Sequence, residues 1–221
     1  MIKVCVFDLD GTLLDTIESI RYFVNVTLEK YGIEKINTEE CKIFVGDGAK
    51  QLIRRTLASR NINDCELEEK ILKEYNEAYL ANPYYLTEAY KGIYELIDGL
   101  RIHGVKIAVV SNKPDFVTRP IVKHFFGDSI DICFGKRESV PLKPNPESTL
   151  EAIKALGAEA WESVFVGDTG VDMQTGRAAG SAFVIGVLWG FRNESELREF
   201  GADVIASTPS DILSEVMKID A

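Results

Sequence analysis

Short apolar runs, many of them β-branched, recur along the chain at residues 2–7, 106–110, 130–134, 163–166, 182–185 and 203–206. They are too short for helices, and most lack the strict apolar/polar alternation of a strand with one wet face. They read instead as strands buried on both faces of a parallel sheet. From residue 106 onward these runs alternate with amphipathic helical stretches, and that alternation predicts an α/β fold with a doubly wound, Rossmann-like parallel sheet. Local signals punctuate the helices. Pro114 and Pro146 suit first helical turns, and Gly104 and Gly157 suit C-terminal caps.

Residues 15–83 carry a different pattern: helical periodicity without a convincing buried strand. One helix is expected over 17–31, stopped by Gly32, and a second after Thr38, whose hydroxyl would cap it with Glu39 and Glu40 in its first turn. A third is expected over about 48–60 and a fourth over 64–80, ended by Asn82 and Pro83. The chain of 221 residues therefore divides into an α/β core of 1–14 and 84–221 and an inserted helical domain of 15–83. The connections near 12–16 and 82–87 would be its hinges.

A hydrophobic fraction of 46% with 27% charged residues is ordinary for a globular chain. The formal net charge of −10 argues against non-specific binding to nucleic acid or to an anionic membrane, both of which need a positive face. An anionic substrate would require a metal and a few local cations to reverse the field. Cys5, Cys41, Cys65 and Cys133 stand singly, which suggests neither a zinc site nor a disulfide framework. With the first strand at the N-terminus and no apolar stretch of membrane length, a cytoplasmic monomer or homodimer is expected.

Candidate chemistry collects at strand ends. Asp8–Leu9–Asp10–Gly11–Thr12 follows the first apolar run, and an acid there must leave the core or carry several kcal/mol for an unpaired buried charge. Ser111, Asn112 and Lys113 follow the next run; Lys143 lies between Pro141 and Pro144; Gly167 and Asp168 end another run, with Asp172 just beyond. A parallel sheet delivers all these ends to one edge, where open α/β sheets bind ligands. A calcium loop counted from Asp8 would want Gly at Leu13 and Glu at Ser19, and has neither. The set supplies a nucleophile, a hydroxyl, a cation and an acid cluster, which are the parts phosphoryl transfer needs. A carboxylate attacking a phosphate dianion at about 4 Å meets roughly 4 kcal/mol of repulsion per charge at an effective dielectric near 20. A divalent cation and Lys143 would offset it; Mg²⁺ is expected, because it binds through one or two carboxylates plus phosphate.

In these motifs and their order the chain resembles the haloacid dehalogenase superfamily of aspartate-nucleophile phosphatases, within it the phosphoglycolate phosphatase-like branch. The resemblance implies a mobile helical cap and hydrolysis through an aspartyl-phosphate. It makes Asp8 the nucleophile and a Mg²⁺ ligand. Asp10 becomes the acid and then base, touching the metal only through its carbonyl. It implies phosphate contacts from Leu9, Asp10, Ser111 and Asn112, charge neutralisation by Lys143, direct metal binding by Asp168, and a supporting role for Asp172 toward Lys143 or metal-bound water. Thr12 would orient Asp10. An acid at position 10 fits phosphate esters better than haloacids or phosphonates. The implied substrate is a small phosphorylated metabolite, 2-phosphoglycolate first. Pyrophosphate, sugar phosphates, nucleotides and β-phosphoglucomutase-like transfer remain alternatives, and a phospho-acceptor signalling module is the rival outside enzymes.

In the helical insertion, Gly46–Asp47–Gly48–Ala49–Lys50 reads equally as an anion site on a helix start, with Lys50 beside it, or as an ordinary helix start capped by Asp47. His103 and His124 fit helix ends, without a catalytic part. Trp161 and Trp189 are expected to pack, with Trp189–Gly190–Phe191–Arg192 following a strand end.

Overall fold

The computed structural model describes residues 1–218, which form two compact units. One comprises Met1–Asp15 and the chain from Ala89 onward; the other is Thr16–Glu88. Among the described residues the first unit holds a six-stranded parallel sheet of β1 (Val4–Phe7), β4 (Lys106–Pro114), β5 (Ile132–Lys136), β6 (Ser163–Gly167), β7 (Phe183–Val187) and β8 (Val204–Ala206). Its order is β5-β4-β1-β6-β7-β8. The six apolar runs thus become six strands. β1, β6 and β7 are buried at every position, as two helical layers require.

The sheet is flanked by α5 (Ile93–Ile102), α6 (Asp115–Phe126), α7 (Glu147–Ala155), α8 (Gly170–Ala179), α9 (Glu194–Glu199) and α10 (Pro209–Lys218). On one face Ile153, Met173 and Leu197 close over Val4, Val6, Ala108, Val110, Phe165 and Val184. Pro114 and Pro146 occupy N-cap positions, one residue earlier than expected. From β1 the chain order runs outward to β4 and β5 on one side and to β6, β7 and β8 on the other. The reversal therefore falls at the carboxyl end of β1, the place where such sheets leave a crevice.

The second unit is helical: α1 (Ile17–Lys30), α2 (Thr38–Phe44), α3 (Ala49–Ser59) and α4 (Cys65–Ala81), with α4 packed on both α1 and α3. Phe23, Leu28, Ile53, Leu57, Ile71 and Tyr79 fill its interior. It extends past Pro83 to Glu88, and the Tyr85 ring packs tilted against Tyr22 with centroids 4.7 Å apart. Two expectations change. The cap of α2 is Asn37, whose Oδ1 accepts from Glu40 N at 2.9 Å, whereas the Thr38 hydroxyl donates to Glu18 at 2.6 Å. Trp161 is not a packing residue, being 64% exposed.

A short two-stranded sheet pairs β2 (Leu14–Asp15) with β3 (Glu88–Ala89), the two points where the chain passes between the units. Among the described residues no helix is long and apolar enough to cross a membrane.

Candidate active site

Asp8 is the first residue past β1, and its backbone N–H donates to Val166 O at 2.9 Å, so the sheet fixes where its carboxylate begins. The chain then turns back at once. Leu9 O accepts from the amides of Leu13 and Leu14 at 3.0 Å, and Gly11, at φ 88°, adopts a backbone that L side chains rarely tolerate. Leu9 itself is fully buried and offers the site only its main chain.

Lys143 closes the other side. Its ammonium, 3% exposed, lies 2.7 Å from Asp172 Oδ1 and 2.8 Å from Asp8 Oδ1. Its aim is set from behind by Asn112, whose Oδ1 accepts from Lys143 N at 2.9 Å and whose Nδ2 donates to Lys143 O at 3.2 Å. Asp172 is held in turn by Thr169, which donates to its Oδ2 from the hydroxyl at 2.6 Å and from the backbone at 3.1 Å. Asp172 thus touches Lys143, one of the two partners expected of it, and also lies in the acid cluster with Asp8 and Asp168.

Asp168 has two donors: the Thr12 hydroxyl at 3.0 Å on Oδ1 and the Phe191 amide at 2.8 Å on Oδ2. Thr12 was expected to orient Asp10 and instead orients Asp168, a partner 156 residues away in sequence. Gly11 and Gly190 both press on this carboxylate, and a methyl group on either would overlap Asp168. Trp189 secures the same corner by donating from its indole to Thr12 O at 3.0 Å.

Ligand oxygens of Asp8, Asp168 and Asp172 lie within 4.8 Å of one another, all buried. Burial first, and the neighbouring Asp172 and Asp10 charges after it, push Asp8 up to about 7 even against Lys143. Asp168 is raised well above the ordinary carboxylate range, again by burial first and then by Asp172 and Asp8. Burial draws Lys143 down, but the Asp172 and Asp8 carboxylates outweigh it and hold the ammonium above its usual value. Asp8 Oδ1 is buried without an aligned hydrogen-bond donor, its contact with Lys143 being close but off the hydrogen-bond direction. Buried acids that crowd one another and leave an oxygen unaligned fit an oxygen-seeking divalent cation.

Asp10 stands apart from this cluster. Its carboxylate receives Lys113 Nζ at 3.0 and 3.3 Å, and the lysine side chain is only 8% exposed. Ser111, 6% exposed, accepts the Lys113 amide on its Oγ at 3.2 Å.

Thus Asp8, Asp168, Asp172 and Lys143 converge, with Thr12 and Asn112 as their supports and Asp10 beside Lys113. The Gly46–Lys50 segment belongs to the helical unit. There the Asp47 carboxylate pairs with Arg55 at 2.5 Å instead of capping α3, whose N-cap is Gly48, and Lys50 is exposed. Sequence reasoning placed Lys113 among the strand-end candidates without a role of its own, expected Trp189 to pack, and assigned no role to Phe191. Trp189 and Phe191 follow the end of β7 and Lys113 lies in the last residues of β4, on the edge already singled out, and that placement was the available signal.

Residues 5–186 match the family model of haloacid dehalogenase-like hydrolases. The chain is 29% identical over 213 residues to a phosphoglycolate phosphatase of Aquifex aeolicus, covering 96% of this chain and 95% of that protein. It is 30% identical over 222 residues to a phosphoglycolate phosphatase of Pseudomonas syringae pv. syringae, covering 98% of this chain and 78% of that one. A crystal structure from Lactobacillus delbrueckii subsp. bulgaricus, of a protein assigned as a phosphoglycolate phosphatase, superimposes with a TM-score of 0.92 at 30% identity, covering 97% of this chain and 98% of the other.

Proposed function

The chain belongs to the haloacid dehalogenase-like hydrolases, and from that membership we propose a Mg²⁺-dependent phosphomonoesterase that acts through Asp8, with 2-phosphoglycolate as its substrate. The observation that carries this reading is the buried Asp8 carboxylate, set between Lys143 and the acids Asp168 and Asp172 at the switch point of the sheet. The substrate rests on the two curated relatives named above, both phosphoglycolate phosphatases.

Asp8 and Asp168 would hold the cation, with the carbonyl of Asp10 as a further ligand. When bound, it supplies positive charge against the repulsion between an attacking carboxylate and a phosphate dianion. An Asp8 oxygen attacks phosphorus as the ester P–O bond breaks, and Asp10 gives its proton to the departing glycolate oxygen. Asp10 then takes a proton from water as that water attacks phosphorus; the acyl-phosphate bond breaks, and free phosphate and Asp8 are restored. Lys143 neutralises charge throughout, its position held by Asp172 and Asn112. Ser111 and the main chain of Leu9 and Asn112 hold the phosphate oxygens. Residues 16–88 act as the cap that selects substrate, with Gly46, Asp47, Gly48 and Lys50 as its contact segment.

The test is acid quenching during steady turnover of 2-phosphoglycolate with Mg²⁺, followed by borohydride reduction and mass spectrometry of the Asp8 peptide. Reduction of an acyl-phosphate at Asp8 to homoserine is expected, and phosphate release is expected to stop in excess chelator. Turnover with Asp8 never modified, or full turnover in chelator, would overturn the mechanism. A stable phospho-Asp8 without turnover would favour the signalling module.

A further inference from the structure

Two buried ammonium groups stand at this site, and they are committed differently. Lys143 is shared between Asp8 and Asp172, at the end where phosphorus is attacked. Lys113 meets Asp10 with both carboxylate oxygens in reach, at the end where the leaving group departs. Lys113 is set by the fold. β4 stays extended through Pro114, its amide donates to Ser111 Oγ, and its carbonyl accepts the Thr118 hydroxyl at 3.1 Å. A cation placed so is not needed to offset the phosphoryl charge, which Lys143 and the metal face.

Resting on the reading above, we propose that Lys113 is the specificity-determining residue that binds the carboxylate of the leaving group. Asp10 must come within about 3 Å of the ester oxygen to pass it a proton. The Lys113 ammonium, in contact with Asp10, then stands within about 6 Å of that oxygen. A carboxylate carbon two bonds from the ester oxygen, as in a phosphorylated 2-hydroxy acid, falls inside this reach. A neutral alkyl group of the same length presents Lys113 with nothing to bind, and desolvates it from its surroundings without return. Lys113 thus selects short phosphoesters bearing an α-carboxylate.

The experiment compares kcat/KM for 2-phosphoglycolate and ethyl phosphate in the wild type, Lys113→Met and Lys113→Arg. A charge-assisted hydrogen bond lost to the substrate predicts that Lys113→Met lowers the 2-phosphoglycolate to ethyl phosphate ratio by about 10- to 100-fold. Lys113→Arg should recover part of it. Because Lys113 is buried and its replacement can perturb folding, the wild type gives a second measurement: free glycolate should inhibit ethyl phosphate hydrolysis far more strongly than ethylene glycol does. Equal losses on both esters in Lys113→Met would make Lys113 a positioning residue for Asp10 and overturn the proposal. So would equal inhibition by glycolate and ethylene glycol. Phosphate release from neither ester by the wild type would instead bring down the phosphatase reading itself.

Discussion

Buried polar groups behave differently in the two units. In the helical unit several are satisfied close by, although the Thr16 and Thr56 hydroxyls have no hydrogen-bond partner: Asn25 accepts from Ile36 N at 2.8 Å and donates to Ile36 O at 2.9 Å, and the Thr27 hydroxyl donates to Phe23 O at 2.9 Å. Glu68, 9% exposed, receives Arg54 through two hydrogen bonds at 3.1 Å. At the carboxyl edge of the sheet, three buried acids instead face one another, and two of them, Asp8 and Asp172, share the single lysine Lys143. Polar groups of the first kind lower the energy of the fold. Those of the second kind are held in place by it, at an electrostatic cost that only a further cation removes. The contrast separates structural polarity from a site without appeal to any relative.

The sharpest way to break this comparison is Asp8→Asn. Loss of the proposed nucleophile should lower turnover by about 10⁴-fold or more. Removing one of three crowded charges should leave the melting temperature at neutral pH unchanged or higher. A clearly lower melting temperature would mean that Asp8 holds the fold together, and the distinction between the two kinds of buried polarity would fail.

The next effect is a pH dependence, and its sign follows from the direction of the shifts. Burial raises Asp8 to about 7 and raises Asp168 well above the carboxylate range, so the folded, metal-free protein binds protons that the unfolded chain has already lost. The stability Asp8 contributes in this way is complete below its unfolded value near 4 and is lost as the pH rises through about 7, and the contribution of Asp168, raised in the same direction, is lost with the same sign. In chelator, the melting temperature should fall between about pH 5 and pH 8, and added Mg²⁺ should raise it more at the higher pH. Equal Mg²⁺ effects at both pH values would separate the acid cluster from metal binding.

Much of this was legible in the chain. Strands buried on both faces admit few polar residues, so the runs ending at Phe7 and Val166 announced the sheet, and Asp8 and Asp168 announced its active edge. The apolar pattern was silent where polar residues remain extended: β4 continues through Ser111, Asn112 and Lys113 to Pro114, with Pro114 in register with Lys136. The partner of Thr12 was out of reach for another reason. Local rules pair a hydroxyl with its sequence neighbours, and Asp168 becomes a neighbour only when β1 and β6 lie side by side. The cap of α2 went to Asn37 because Glu18 claimed the Thr38 hydroxyl, again a contact between helices rather than within one.

A smaller effect sharpens the comparison at two glycines. Gly190 has an ordinary φ, so what forbids a side chain there is space: a methyl group would fall on Asp168 and 2.5 Å from Gly11 O. Gly32 is the reverse case, at φ 65° with nothing within 4 Å of the added group, so its cost is backbone strain alone. Gly190→Ala must therefore displace either the Asp168 carboxylate or the turn at Gly11. Disturbing the groups that orient a metal ligand typically costs about 10- to 100-fold in affinity. Gly32→Ala should cost stability by about 1 kcal/mol and leave affinity alone, because the helix end it strains carries no ligand. Titrating Mg²⁺ against the melting temperature of both variants reads the two quantities at once. If Gly32→Ala weakened the metal as much as Gly190→Ala did, the acids of the sheet edge would not be an independently held site, and the helical unit would have to be counted among their supports.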